Sequence, residues 1–528
     1  MNLLAPGSHR AVGIADDQAL LGAMLRVETA WLYALVEVGV ATSVQADAVG
    51  SAAEGWCVDL GSLIVDSEAA GNPVVALVTG LRSAIEDTGA AALVHRGLTS
   101  QDVLDTALVL IARDALNQVY GDLHATARAL AGLACLHRNT VMPGRTLGRY
   151  AVPITVGLKA AQWLSAVLDA LELVERSRDR LPAQCGGAAG TLALVGELTE
   201  QPLAAAAAFA RVLGLADRGV PWHTTRTPIT GIGHACVTTC DALGVLAADL
   251  LLLSRPEVGE LHEARVAGRG GSSTMPHKQN PILAVLVRSA ALRAPQLGAQ
   301  LHLAAAEAVD ERPDGAWHSE WSALRDLLEL TVTAASQAVE LVTGLEVDTD
   351  TIARHVAENA DDLLAERGPG GGDPATYIGS AHVFVDRVLD RFAAAADKEH
   401  LVTDPYDTGM SIRRQVLGDA HVDRAEAAKS PFTQDFQSLI TRYAWGEIWA
   451  RPGLDRRTRS AITLTALLAN GHWSEFEMHV RAARRNGMSA EEIAEVILQS
   501  AIYLGVPVAN HGFALAAQVL AEPTDSTT

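Results

Sequence analysis

The chain is poor in aromatic rings, in cysteine and in positive charge. Phe, Trp and Tyr together make up 4% of its 528 residues. A core with so few rings has to be built from Ala, Leu and Val, which suits close packing of helices. Lys and Arg number 41 against 62 Asp and Glu, a net charge of −21. That balance excludes non-specific binding to nucleic acid or to an anionic membrane surface. It does not exclude a small anionic substrate, because a local cluster of Arg and Lys overrides the net field. Five cysteines, at 57, 135, 185, 236 and 240, are too few and too scattered for a disulfide framework or a complete zinc site. They read as reduced thiols in a cytoplasmic protein. The first residues lack the basic and apolar regions of a secretory leader, so none is expected. Apolar runs of about 18 residues occur only inside helices that a bundle would bury, so no membrane span is expected either.

Hydrophobic residues at 49% and charged residues at 20% describe a globular chain, and the length points to two or more domains. The dominant period is helical. In "QDVLDTALVLIARDAL", Leu104, Leu108, Ile111 and Ala115 fall on one stripe, and Thr99 with Asp102 forms a capping signal ahead of it. Long Ala/Leu/Val stretches follow at 118–137, 154–178, 233–254, 281–309 and 316–345. They are too long for strands and predict an all-α fold built on a long bundle. Helix cannot cross "GPGGGDP" at 368–374, and a short helical piece follows near 376–396. The polar stretch "DKEHLVTDPYD" then suits a boundary. The domains expected are therefore a helical domain over 1–396, a linker over 397–404 and a second all-α domain over 405–528. In the second, Ser474 with Glu477 and Ser489 with Glu492 read as capping boxes, with Gly487 ending the helix between them. Ile493, Val496, Ile497 and Leu504 mark the buried face that follows.

One stretch breaks the helical period: "GGSSTMPHKQNP", 270–281. Its glycines permit backbone motion. A serine in a polarised setting can move a proton, and Lys with Asn can hold a carboxylate whose charge grows during reaction. The stretch resembles the signature loop of the fumarase/aspartase superfamily. "HRGLTSQDVLDTA" (95–107) and "GRTLGRYAVPITVG" (144–157) are similar to the other two signature regions of that superfamily, in the same order. Within it, "GNPVV", "GGAAGTL", "PWHTTRTPI" and "WHSEW" resemble the 3-carboxy-cis,cis-muconate cycloisomerases, over about residues 1–395. From Tyr406 to Glu522, "YDTGMSIRRQVLGDAHVDRA", "RYAWGEIWARPGLDRRTRS" and "IYLGVPVAN" resemble 4-carboxymuconolactone decarboxylase. The two families catalyse consecutive steps of protocatechuate breakdown.

The first resemblance implies lactone closure on a di- or tricarboxylate. Ser272 or Ser273 would transfer the proton, and Lys278 and Asn280 would bind carboxylate. Thr99, Ser100 and Gln101 would add hydrogen bonds at a helix start, with Arg145, Arg149, His223 and Arg226 as further substrate contacts. It also implies a homo-oligomer, a tetramer or larger, whose copies share each site. Trp317 and Trp321 read as core rather than site, while His95 reads as a packing or capping residue, and His223 and Arg226 as braces of the bundle, as readily as site residues. Arg149 and Tyr150 stand where the family pattern has a Gln-His pair, Leu147 replaces a frequent His, and the segment 361–373 is much shorter than in the cycloisomerases.

The second resemblance implies decarboxylation. His479 would handle the proton, Glu475 one turn earlier would orient it, and Arg451 and Arg459 would hold the substrate's acid groups. The domain has no cysteine, which excludes thiol peroxidase chemistry. No metal and no organic cofactor is implied. Two alternatives stand beside the bifunctional reading. The first domain could eliminate an amine or nitrite from a succinate-like substrate, or it could be a scaffold for an active decarboxylase.

Overall fold

The computed structural model describes residues 3–521 apart from 273, 276, 277, 369, 371, 403, 404, 431 and 452; at 396–402, 405, 407 and 420 it describes the backbone alone. The chain divides into two compact units, Met1–Phe392 and Ala393–Thr528. The division falls inside the helix Ala381–Val402. Helix therefore runs through most of the stretch expected as a linker, and Thr403 and Asp404 lie outside the described residues.

The first unit is a bundle. Its longest helix, Ser100–Leu136, starts where the Asp102 carboxylate accepts the Thr99 amide at 3.0 Å, the reciprocal half of a capping box. That helix packs against Asp17–Glu37, Val156–Arg178 and Gly315–Thr343. Thr227–Leu253 and Ile282–Ala306 complete the bundle beside them. Small residues set the spacing: a Cβ on Gly157 would lie 2.7 Å from the Ala134 carbonyl oxygen, so glycine lets the helix Val156–Arg178 approach that backbone. Asp17–Glu37, Thr227–Leu253 and Ile282–Ala306 are long and apolar enough to cross a membrane by length and composition alone. In this fold the first two bury about half of their apolar stretch against neighbouring helices, and the third buries 33% of it.

Two short antiparallel pairs interrupt the helices. Val141–Thr146 pairs with Arg149–Thr155, turning at Leu147 and Gly148, both at positive φ (52° and 78°). A two-residue turn of that hand matches strand twist. Leu261–Glu263 pairs with Leu345–Val347. Only 3-10 turns, Ala365–Arg367 and Pro374–Thr376, lie between the helix Ala360–Leu363 and the helix Ala381–Val402 among the described residues.

A charged cluster is sealed into the bundle. Arg226 is 2% exposed, and all three of its nitrogens bond to carboxylates. Asp105 accepts at 2.7 and 3.0 Å, and Glu320 at 2.6 and 3.0 Å. Trp317 Nε1 donates to Asp105 at 2.9 Å. Beside it, Asp102 accepts from the amides of Gly186 and Gly187 and from His223 Nε2 at 2.9 Å. A carboxylate only accepts here, so His223 donates from Nε2.

In the second unit, the helices Arg456–Asn470, Trp473–Arg485, Ala490–Leu504 and Val506–Leu520 enclose Leu464, Leu468, Phe476, Val480, Ile493 and Ile497. Val496 and Leu504 pack against this core from its edge. The helix Pro405–Leu417 presses on the π-helical turn Thr441–Trp449 through Gly409, where a Cβ would meet the Thr441 carbonyl oxygen. The Ser489–Glu492 capping box forms. The Ser474–Glu477 box does not: the helix begins at Trp473, with His472 at its N-cap and no side-chain cap bond. Ser474 is already inside the first turn and cannot cap it.

Removing Arg226 would leave two buried carboxylates unpaired. Arg226→Ala is expected to destabilise the first unit by about 3–5 kcal/mol, read as a large drop of its thermal transition. An unchanged transition would show that the cluster contributes nothing to stability.

Candidate active sites

Sequence reasoning singled out three places in the first unit. The structure separates presented side chains from braced ones at each.

At the start of the long helix, Ser100 is half-buried and Thr99 Oγ1 accepts from Arg312 Nη2. Arg312 comes from the exposed segment before the helix Gly315–Thr343, and nothing in the linear sequence pairs it with Thr99. A guanidinium over a helix N-terminus concentrates positive potential, the setting an anionic group prefers. Gln101, in contrast, is fully buried. Its amide donates to Asp105 at 3.2 Å and to the His223 carbonyl at 2.9 Å. Three expected substrate contacts are therefore corrected. Gln101, His223 and Arg226 face inward and hold the helix start from beneath, because buried charge and amide groups require partners. Trp317 belongs to the same brace. His95, at φ 60°, bonds to the buried Glu28 at 2.7 Å.

At the hairpin, Arg145 is corrected in the same sense. It grips Glu260 with two bonds, at 2.8 and 2.5 Å, and Glu260 also accepts from His355 Nδ1 at 2.8 Å. Glu260 is fully buried, so its charge requires the Arg145 guanidinium and the hydrogen bond to His355. Tyr150 lies under the same guanidinium, 5.3 Å from it. Arg149, next to the turn, is exposed.

The signature loop is closed at its neck. Gly270 O accepts from Asn280 N and Nδ2 at 2.8 and 3.0 Å, and Arg269 O accepts from Gln279 Nε2 at 2.9 Å. Glu263 caps the following helix by accepting Leu283 N at 3.0 Å. Lys278 is exposed and Ser272 half-buried. Ser272 Oγ accepts the Met275 amide at 3.2 Å and the Thr274 amide at 3.4 Å. Amide donors on that oxygen favour the charge it gains on giving up a proton. Ser273, Pro276 and His277 lie outside the described residues. Among the described residues, no hydrogen bond or ion pair joins Ser272, Lys278 or Asn280 to the helix start or to the hairpin turn.

In the second unit, burial pushes His479 down to about 4, and the neighbouring charge of His421 adds to the effect. The ring is stacked on Trp449, with centroids 6.4 Å apart and 23° between planes. His421, on the helix Asp419–Ala427, is lowered as well, by burial and then by Arg424, Arg413 and Arg485. Sequence reasoning missed His421; its place in the quoted "GDAHVDRA" was the one available signal. Glu475 does not orient His479. It is exposed, it accepts from Ser474 Oγ at 2.7 Å, and it makes no bond to the imidazole. Arg459 is used by its own turn, donating to the carbonyls of Leu454 and Arg451, and Arg451 itself is exposed. No cluster of three or more His, Cys, Asp or Glu that could hold a metal ion occurs among the described residues.

Architecture and sites define a lyase-type helical bundle followed by a small all-helical unit. A family profile described as lyase matches residues 15–295, and one for the carboxymuconolactone decarboxylase family matches residues 434–518. A nitrosuccinate lyase of Streptomyces davaonensis is 46% identical over 359 residues, covering 67% of this chain and 76% of its own. A 3-carboxy-cis,cis-muconate cycloisomerase of Bradyrhizobium diazoefficiens is 35% identical over 405 residues, 76% of this chain and 88% of its own. The solved 3-carboxy-cis,cis-muconate lactonizing enzyme of Pseudomonas putida superposes with a TM-score of 0.66 at 32% identity, covering 74% of this chain and 97% of that one. The chain belongs to this lyase family of fumarase/aspartase-type fold, and carries a carboxymuconolactone decarboxylase family domain at its C-terminal end.

The position of His479 has a consequence for stability. Its folded value lies below the usual 6.5, so the unfolded chain binds a proton that the folded one refuses between about 4 and 6.5. Stability is complete above that window and falls as pH drops through it, by roughly 1.4 kcal/mol per pH unit. The melting temperature of the wild type is expected to fall relative to His479→Phe between pH 7 and 4.5. Parallel curves would refute the buried neutral imidazole.

Proposed function

We propose that the chain cyclises 3-carboxy-cis,cis-muconate to 4-carboxymuconolactone in its first unit and decarboxylates that lactone in its second. The observation that carries this is the pairing in one chain of a lyase with cycloisomerase relatives and a domain of the carboxymuconolactone decarboxylase family. The product of one named reaction is the substrate of the other.

In the first step, a carboxylate oxygen adds to one end of a conjugated double bond. The electron pair moves toward the carboxylate at the far end, and a proton then joins carbon. Lys278 and the helix start beneath Thr99 and Arg312 suit the carboxylates, and Ser272 suits the proton. Ser273 remains the alternative shuttle. In the second step, the bond to the departing carboxylate breaks, its electron pair flows toward the lactone carbonyl, and carbon dioxide leaves. The neutral imidazole of His479 has a basic ring nitrogen, which can take a proton from solvent and pass it to the carbon left behind, returning to its neutral form.

That no hydrogen bond or ion pair joins loop, hairpin turn and helix start among the described residues of one chain fits a homo-oligomer in which copies complete each other's sites. Val285, Leu292 and Leu303 on the helix Ile282–Ala306 are 44%, 65% and 63% exposed, an apolar face suited to another copy. All five cysteines are free, which suits a reducing compartment such as the cytoplasm.

A second reading rests on the 46% identity to a nitrosuccinate lyase. Proton removal beside a carboxylate followed by loss of nitrite would use the same serine and lysine, and Arg149 would meet the nitro group. Purified chain supplied separately with carboxymuconate and nitrosuccinate separates the two. Cyclisation with decarboxylation predicts loss of the diene absorbance and release of carbon dioxide, with Ser272→Ala slowing diene loss by about 10²-fold or more. Nitrite release with an unchanged diene would establish the second reading. Unchanged flux in the Ser272→Ala, Ser273→Ala double variant would favour a scaffold.

A further inference from the structure

The signature loop is held at its neck by hydrogen bonds to the carbonyls of Arg269 and Gly270. Whatever fixes Arg269 therefore fixes the neck. The Arg269 guanidinium bonds to Glu340 Oε1, near the end of the helix Gly315–Thr343. The other oxygen of Glu340 accepts from Arg10 at 2.6 Å. Arg10 also donates to Ser336 Oγ at 3.0 Å, one turn earlier on that helix. One carboxylate thus joins two cations 259 positions apart in the sequence.

The N-terminal segment is built to sit there. Gly7 has φ 95°, and a Cβ on it would lie 2.3 Å from Gln337 Nε2, so only glycine lets the 3-10 turn Ser8–Ala11 settle on the helix. Gln337 is itself buried. At the neck, Gly270 has φ 73°, and a Cβ there would lie 2.5 Å from the Asn280 carbonyl oxygen.

We propose that Glu340 is a positioning residue for the signature loop, and that the N-terminal turn, through Arg10, locks Glu340 in the orientation that holds Arg269. The loop would then be steadied by a segment that touches neither its serine nor its lysine. Isolated surface ion pairs do little. Here a single carboxylate is shared by two guanidinia, which fixes its rotamer and spreads one ordering cost over two bonds. The bearing on catalysis rests on the reading that this loop carries the reaction; the bearing on loop mobility does not.

Hydrogen–deuterium exchange on the full-length protein tests it, comparing wild type, Glu340→Ala, Glu340→Gln and Arg10→Ala. Exchange in 268–281 is expected to quicken about tenfold or more in Glu340→Ala, as expected for a freed loop. Glu340→Gln, which keeps one accepting oxygen, and Arg10→Ala are expected to lie between. The helix Ser100–Leu136 serves as the folding control and is expected to exchange as in wild type. In turnover, kcat is expected to fall about tenfold with KM within about twofold, the pattern of a misplaced shuttle. Wild-type exchange of 268–281 in both Glu340→Ala and Arg10→Ala would overturn the proposal. If Glu340→Ala perturbs the control helix, Arg10→Ala alone decides. Inactivity of the wild type on carboxymuconate would sink the functional reading and leave the exchange result standing.

Discussion

The buried guanidinium of Arg226 is the constraint around which the first unit is organised. Two carboxylates from different helices, Asp105 and Glu320, converge on it where solvent is absent. Neither acid is tolerable there alone, and neither has another cation within reach of a bond among the described residues. The cluster therefore fixes the rotation of three helices at once. Asp102, three residues before Asp105 on the same helix, extends this control outward to the glycines at 186 and 187 and to Thr99. The helix start is thus held from below by residues that never meet solvent.

This division explains why so many polar residues of the signature regions are not contacts for a small molecule. A site that stabilises changing charge needs groups already oriented before the substrate arrives. Gln101, Arg145, His223 and Arg226 supply that orientation by bonding to buried acids. Ser100, Lys278 and Ser272 are left partly or wholly accessible, and Arg312 joins them over buried Thr99 from a segment with no periodic signal. The second unit follows another logic. His479 is kept neutral by burial rather than by a carboxylate partner, and its ring neighbour is Trp449 rather than Glu475.

The bundle was legible in the sequence because helices announce themselves locally. The 3.6-residue stripe through Leu104, Leu108 and Ile111 and the Thr99–Asp102 cap need no distant partner. The hairpin at 141–155 was not, since its pairing depends on a two-residue turn in which Leu147 adopts a conformation unusual for a branched side chain. The N-cap of one helix falls at His472 rather than Ser474, a shift of two residues that periodicity cannot fix. Arg312, His421 and Glu340 share a different cause of invisibility. Each acts on a residue at least 58 positions away in sequence, and side-chain chemistry at such separations leaves no spacing to read.

What distinguishes the rival chemistries also follows from this geometry. Lactone closure and nitrite elimination both move a proton beside a carboxylate, so the loop and the helix start serve either equally. Neither the Arg226 cluster nor the Glu340 clamp can discriminate, because both lie behind the reacting groups. Discrimination has to come from side chains that meet the part of the substrate in which the two reactions differ. The hairpin turn is one place where this chain departs from the cycloisomerase pattern, with exposed Arg149 and with Tyr150 under Arg145. Arg145 cannot move to a ligand without abandoning buried Glu260, so Arg149 is the one cation of the pair free to answer a substrate's charge. Of the two arginines at this hairpin, Arg145 is spent on a buried acid, and Arg149, beside the tight turn, is the exposed one.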